Sequence, residues 1–442
     1  MKTKYDAVVI GTGISGLGVA ALLAKAGKKV IALEKNKYIG GRAASFSYKG
    51  FTLNIGQHAG LAGQRFDQLF EHVGKAPGAR EYFGDVVLHQ KGGFQPLMSL
   101  VPIGDPQLLN FFMEVHQITP KDMETLDGMS AKEWLAARIT DPDLANLLRL
   151  SGCIFTTIPW IEDMAASSFV QTLQTLSKGT DTWLPSHGMG EYLGVLVEAI
   201  REKGGEVVTG VPVTKILVEG KKVCGVLVEQ GEEDVEGDLG EPTRIEAPLV
   251  VTSFPIWDLF ELMDAALFGK KFVKMARHLD KRTANVGITA AMKEPLYTDK
   301  KFIIYEFPRI GYPGTVFMPT NVVPTIAPKG GHLLESSIIC EYEIFRERER
   351  LFKTVELMKQ DVDDLFPRWQ EKAIWIKPYF HWEEPARNPG REGIFRPGPK
   401  APRIKGLYFT GDSVNSRALS GMECAADSAM ICVQAILGRI PG

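Results

Sequence analysis

Asp6-Ala-Val-Val-Ile10, Gly11-Thr-Gly13-Ile-Ser-Gly16 and Lys29-Val-Ile-Ala-Leu33-Glu34 decide the fold. The first apolar run ends at a glycine, as a buried parallel strand does. Leu17 to Ala26 reads as a helix stopped by Gly27. Lys29 to Leu33 reads as a second strand, and Glu34 stands at its end, eighteen residues past Gly16. Each part has a physical task. Gly11 permits the tight turn, Gly13 lets backbone approach a diphosphate, and Gly16 lets helix pack closely on strand. The helix N-terminus, at Ile14 and Ser15, offers unpaired N–H groups and a partial positive charge to phosphates. Glu34 can accept from both ribose hydroxyls and disfavours a 2′-phosphate. Strand, glycine turn, helix, strand and acid follow in order within about thirty residues, which is a dinucleotide-binding context. The fingerprint alone does not separate NAD from FAD.

Outward from that stretch, the chain is 442 residues long, which fits about two or three domains and needs no disulfide staple. A composition of 45% hydrophobic and 24% charged residues excludes disorder and fibres. A net charge of −2 gives no reason to expect nucleic acid. Five scattered cysteines match neither a disulfide framework nor a metal-ligand spacing, so a reduced, cytoplasmic setting and no metal are expected. Ala7 to Ala24 is uncharged, yet Asp6 precedes it and four glycines interrupt it. Neither a signal peptide nor a spanning helix fits that pattern.

Six residues past Glu34 comes Gly40-Gly41-Arg42-Ala-Ala-Ser45, a second close-approach segment with a phosphate-competent cation. Asn54-Ile-Gly56-Gln57-His58 follows. Near the other end stand Gly406-Leu-Tyr-Phe-Thr-Gly411-Asp412 and Leu419-Ser-Gly421-Met422-Glu423-Cys-Ala-Ala-Asp-Ser428. Together these segments resemble the FAD-dependent amine oxidase and phytoene desaturase superfamily, strongly over the two terminal stretches of the chain that carry them. The resemblance implies non-covalent FAD. It implies contacts from Gly11, Gly13, Ile14, Ser15 and Gly16; from Glu34 and Lys35; and from Gly40, Gly41 and Arg42. It adds Gly56, Gln57 and His58 beside the flavin ring, Val213 at adenine, and Gly411 and Asp412 on the ribityl–phosphate region. Gly421 and Met422 then begin a helix under the flavin N1–C2=O edge, where a helix N-terminus stabilises negative charge.

The middle of the chain resembles the family loosely. Leu184-Pro-Ser-His187-Gly188-Met-Gly190 marks the return to the FAD domain, with His187-Gly188 where relatives more often carry Gly-Gly. Val223 to Glu229 and Arg244 to Ser253 read as strands joined by a solvated acidic tip at 232–236. The expected fold is α/β: a Rossmann-like FAD-binding domain (1–90, 184–255, 381–442) with an inserted α+β substrate domain (91–183, 256–380). The first insertion is helix-rich, with a capping box at Ser130-Ala-Lys-Glu133 and a helical run at Leu144 to Leu150. The second mixes strands at Ala284–Ala290 and His332–Glu341 with a charged helix from about Glu343 to Leu365.

No catalytic base is evident. His58 is the candidate the resemblance puts beside the flavin, with His187, Tyr379 and His381 weaker, and no lysine falls where amine oxidases position a water. Trp382 stands where those oxidases carry part of an aromatic cage, although Tyr379-Phe-His-Trp382 also reads as a plain strand. Details such as Leu184-Pro185 and Lys329-Gly-Gly-His-Leu-Leu lean toward the desaturases. The expectation is hydride removal or addition at C–C bonds of an apolar, isoprenoid or polyene substrate. Amine oxidation with oxygen, and a redox-neutral isomerase or binding protein, are the alternatives. No second glycine fingerprint is evident, which favours oxygen or a quinone as external electron acceptor. Phe268-Gly-Lys-Lys-Phe-Val-Lys-Met-Ala-Arg277 is basic and amphipathic and would suit peripheral membrane contact, or simply a solvated helix over the core.

Overall fold

The computed structural model describes residues 3–56, 59–90, 92–100, 104–179, 181–229 and 242–442. Along the chain, β1 (Ala7–Ile10), α1 (Ile14–Lys25) and β2 (Val30–Leu33) are followed by α2 (Arg65–Val73), β3 (Val86–Gln90) and β4 (Gly93–Pro96). Then come β5 (Glu206–Val208), β6 (Val250–Thr252), α3 (Lys270–His278) and β7 (Arg282–Met292). The rest are β8 (Phe302–Phe307), β9 (Tyr312–Phe317), β10 (His332–Glu341), α4 (Arg348–Leu365), β11 (Ala373–Pro385), β12 (Leu407–Phe409) and α5 (Met422–Leu437).

Five strands form a wholly parallel sheet in the order β5-β2-β1-β6-β12. Val8 sits between Ile31 and Val250, and Val250 pairs onward with Leu407. Every residue of β1, β2 and β6 is buried, because helices or strands cover both faces. That is why these segments read as continuous apolar runs rather than alternating ones. The chain leaves β1 for β2 on one side and later adds β6 on the other, which makes the carboxyl ends of β1 and β6 a topological switch point. Residues Ile14 to Ala24 of α1 are all buried. Gly18 permits this packing, since a Cβ there would meet Leu69 at 2.9 Å and Ala429 at 3.2 Å.

The strand expected over Arg244–Ser253 is two strands. Thr243–Glu246 closes an antiparallel unit with Val213–Glu219 and Lys222–Val228, while β6 joins the parallel sheet. Pro248 lies between them, lacks an N–H, and its carbonyl would meet a Cβ at Gly406 at 2.3 Å. The acidic tip at 232–236 lies outside the described residues.

A seven-stranded sheet, β11-β7-β10-β9-β8-β3-β4, forms the other half of the molecule. Its strands are antiparallel except where β3 meets β8. β3 therefore joins this sheet although it falls within residues 1–90. Ala284, Val286, Ile288, Leu334 and Ile338 pack on one face with Leu351, Val355 and Met358 of α4. That helix starts at Arg348, after a short 3-10 turn over Tyr342–Arg346. Helices Pro106–Gln117, Pro120–Leu126, Ala131–Ala136, Pro142–Thr156 and Ala166–Leu176 make up the helical insertion. Ser130 caps the third of these through the Lys132 N–H. Among the described residues no helix is long and apolar enough to cross a membrane. On α3 the apolar residues Phe272 and Ala276 are buried, and Phe272 stacks on Phe268 at 5.2 Å and on Phe409 at 5.7 Å. The buried side of this basic helix thus packs on the core beside the parallel sheet.

Candidate functional site

A cavity of about 670 Å³ opens at the carboxyl ends of the parallel strands. Gly11, Gly13, Ile14 and Ser15 form one wall, and Glu34 and Lys35 stand at one end. Gly40, Gly41, Arg42 and Gly56 form a second wall, with Val213 beside the acid. Gly411, Asp412, Gly421 and Met422 face them from the C-terminal segment. Gly16 lies just behind: a Cβ there would meet the Gly11 carbonyl oxygen at 2.1 Å. Gln57 and His58 lie outside the described residues.

The turns that shape the cavity demand glycine. Gly11 and Gly411 hold φ at +103° and +109°, where a side chain would be strained. A Cβ on Gly56 would sit 2.4 Å from the Arg42 carbonyl oxygen. At the His187-Gly188 departure the glycine is the constrained position: a Cβ on Gly188 would meet Thr52 at 2.8 Å and Ser45 at 2.9 Å, whereas His187 is exposed. His187 is accordingly no part of the cavity.

Glu34 is buried and its carboxylate organises the turn. Oε2 accepts from the Thr12 N–H at 3.0 Å and the Thr12 hydroxyl at 2.8 Å. Oε1 accepts from the Asn36 N–H at 3.0 Å and from Asn36 Nδ2 at 2.8 Å. Across the cleft Arg42 pairs with Asp412 and lies 4.4 Å from the centre of the Trp382 ring. Asp412 is itself held from behind, because the buried Arg396 donates to its backbone carbonyl. Arg396 and Arg387 share the buried Glu392, at 3.1 and 3.2 Å. The Gly411 N–H donates to Ser428 Oγ at 2.9 Å, which fixes the turn on α5.

Two helices, α1 and α5, begin at the cavity, and neither has a side-chain cap. Their N-terminal N–H groups and partial positive charge therefore face the cleft, which suits a long ligand with negative charge at two places. A glycine-shaped floor, an acid at one end and two helix N-termini match the donor and acceptor set of a flavin dinucleotide.

Sequence reasoning missed several lining groups. Asp258, Glu261 and Arg282 come from the chain after β6 and from the start of β7. Burial pushes the Asp258 carboxyl up to about 6, while Arg282 pulls it down and Glu261 adds to the rise. His381 and Trp382 are neighbours in sequence yet both line the cavity, which a regular strand does not allow. Both were named as candidates from the sequence, but nothing there showed that they line one cavity together. Tyr379 stacks on His381 at 5.9 Å and its ring fills the space a Cβ on Gly287 would need. On the same sheet face Thr315 and Ser337 exchange a 3.2 Å hydrogen bond, and the Asn285 side-chain oxygen is buried without a hydrogen-bond partner.

The family model for flavin containing amine oxidoreductases matches residues 14–437. The chain belongs to that family. As a flavin containing amine oxidoreductase it is an FAD-dependent oxidoreductase of the amine oxidase and carotenoid desaturase group. It is similar to prolycopene isomerase of Daucus carota, 23% identical over 492 residues, covering 96% of this chain and 76% of the isomerase. It is similar to all-trans-retinol 13,14-reductase of Danio rerio, 26% identical over 305 residues, covering 58% of this chain and 49% of the reductase. The chain thus spans about half the length of the retinol reductases it matches. A solved oxidoreductase from Methanosarcina mazei shares the fold, with a TM-score of 0.79 at 22% identity over 99% of this chain and 100% of that one.

Proposed function

We propose that this oxidoreductase removes or adds hydride at a C–C bond of an apolar, isoprenoid or polyene substrate. Bound FAD supplies the two-electron carrier for such chemistry. Glu34, Lys35 and Val213 would hold the adenosine end, and the Gly11–Gly13 turn with Ile14 and Ser15 the diphosphate. Gly40, Gly41, Arg42, Gly411 and Asp412 would hold the ribityl–phosphate region, with Gly56, Gly421 and Met422 beside the ring. The N-terminus of α5 would place its partial positive charge against the negative charge that a reduced ring carries.

One observation carries the C–C reading over the amine reading. Among the described residues Lys35 is the only lysine on the cavity wall, and it stands beside Glu34, away from Gly421 and Met422. The Trp382 ring, which stands where amine oxidases carry part of an aromatic cage, has the Arg42 guanidinium 4.4 Å from its centre. No water-positioning lysine and no aromatic cage remain for amine oxidation among these residues. Relatives named for prolycopene and retinol speak for an isoprenoid substrate. The isomerase among them supports a second reading, isomerisation with no net electron transfer. Where hydride is removed, the external acceptor is oxygen or a quinone; where it is added, an external reductant supplies the flavin's two electrons.

Anaerobic mixing distinguishes these readings. The oxidised enzyme is mixed with phytoene or benzylamine, and the photoreduced enzyme with all-trans-retinol, oxygen or a ubiquinone. The C–C reading expects the visible flavin band to bleach with phytoene or return with retinol, and to ignore benzylamine. Bleaching by benzylamine alone overturns it. Conversion of prolycopene without net change of the flavin band supports isomerisation instead.

A further inference from the structure

We propose that Arg282 is a second diphosphate-binding cation of the cofactor site, delivered from the substrate sheet into the cleft. The inference rests on the placement of FAD given above but not on the choice of substrate. Arg282 is the first residue of β7, and it lines the same cavity as the Gly11–Gly13 turn and Arg42. Its guanidinium lies 5.1 Å from the Trp257 ring centre, 5.2 Å from Tyr342 and 5.5 Å from Trp382. Three rings around one planar guanidinium limit its rotamers and strip part of its water. An arginine so held loses little entropy when it engages an oxyanion.

The local backbone explains how it gets there. Arg282 pairs with Pro385 and Ala284 with Trp382, so two steps along β7 match three along β11. That irregularity is a bulge, and bulges re-aim side chains beside sites. It falls between Trp382 and Pro385, beside the point where the Arg282 guanidinium lies 5.5 Å from the Trp382 ring centre. Trp382 thereby links the two arginines, with Arg42 at 4.4 Å and Arg282 at 5.5 Å from its ring centre.

Charge bookkeeping along the wall singles out Arg282. Arg42 is already paired with Asp412, so its charge is largely balanced before any diphosphate arrives. The partner of Arg282 is Asp280 at 3.0 Å, whose side chain is 48% exposed, and water screens such a pair. The other acid beside it, Asp258, has its carboxyl pushed up to about 6 by burial, with Arg282 pulling it back down. Glu261 lines the cavity farther along the same turn, and Lys35 also lines it and acts on the Asp258 carboxyl. Among the described residues Arg282 is thus a cation on this wall whose printed ion pair is to a half-exposed acid, where a diphosphate brings two negative charges.

The test uses the full chain, stripped of flavin and reloaded, with FAD affinity read by quenching of flavin fluorescence. Arg282→Gln is expected to weaken FAD binding by about tenfold, the loss of one charge-assisted contact. The dependence of affinity on salt should become shallower, and the flavin-free protein should melt as the parent does. Arg282→Lys keeps the charge and loses the planar stacking, so it should recover part of the affinity and the parent's salt dependence. Unchanged FAD affinity in Arg282→Gln overturns the proposal. So does weaker binding with an unchanged salt dependence and a lower melting temperature of the flavin-free protein, which would mark Arg282 as a packing residue. None of these readouts involves substrate, so a wrong substrate class leaves the outcome untouched.

Discussion

At the scale of single residues, the Glu34 carboxylate is engaged by the protein's own donors where the fingerprint expects ribose hydroxyls. Its two oxygens accept from Thr12 and Asn36, two donors on each, and so pin the glycine turn to the end of β2. A carboxylate can do this because it is acceptor-only with about four lone-pair sites. Glu34→Gln keeps the shape but turns an N–H₂ toward the donors of Thr12 or Asn36. The expected cost is about 1–3 kcal/mol of stability, with weaker FAD binding, measured by denaturant titration and by flavin quenching. Stability equal to the parent's would show that the turn does not depend on the carboxylate. The acid itself was legible in the sequence because its spacing from Gly16 is local. Thr12 and Asn36 were not, since small polar residues beside a glycine turn have no distinctive pattern. Arg282 was further from reach, because pairing between strands distant in sequence brings it to the cleft, and no motif encodes that.

Between elements, the docking of α2 on α5 turns on one buried carboxyl. Glu423, in the first turn of α5, accepts from the Phe66 N–H at 2.9 Å and so serves the start of α2, whose own N-cap residue Gln64 makes no side-chain bond. Arg65 adds a 3.2 Å ion pair to Asp427 one turn along. Burial pushes the Glu423 carboxyl from 4.5 up to about 8, with the Phe66 N–H pulling it back and Asp67 adding to the rise. The unfolded chain therefore releases this proton near 4.5 while the folded chain keeps it to about 8. Over that window the unfolded state binds fewer protons, so stability is complete below 4.5 and falls as pH rises toward 8. The span is on the order of 5 kcal/mol, at about 1.36 kcal/mol per pH unit. Glu423→Gln keeps an acceptor for the Phe66 N–H and has no proton to lose. Melting temperatures between pH 5 and 8 should decline in the parent and flatten in the variant. Parallel declines would assign the slope to other groups. The helix that carries Glu423 was legible from its small residues and its Gly421 start. The partner helix α2 was not, because contact between segments from opposite ends of the chain leaves no local trace.

For the molecule as a whole, the parallel sheet is assembled from both ends of the chain and from its middle. β1 and β2 come from the N-terminal segment, β5 and β6 from 206–252, and β12 from 407–409. That interleaving was legible because its signatures are short and sit at the termini. The seven-stranded sheet was legible only in pieces: His332–Glu341 was read as a strand, whereas the capture of β3 from the N-terminal segment depends on parallel pairing with β8. A sheet built this way has no terminal part that can be spared. Ending the chain at Lys405 would remove β12 and α5, and with them the buried side chains of Leu407, Phe409, Met422, Met430 and Val433. At about 1.5–3 kcal/mol for each, the lost burial is roughly 8–15 kcal/mol, as large as the whole net stability of an ordinary domain. The inner face of α1, packed on Ala426 and Ala429, would be left in water. The truncated chain is expected to melt without a cooperative transition and to leave flavin fluorescence unquenched, because Gly411, Asp412, Gly421 and Met422 go with it. A sharp melt with FAD still bound would mean that the shortened chain holds the cofactor by itself, and that α5 is an accessory to the fold rather than half of its cofactor wall.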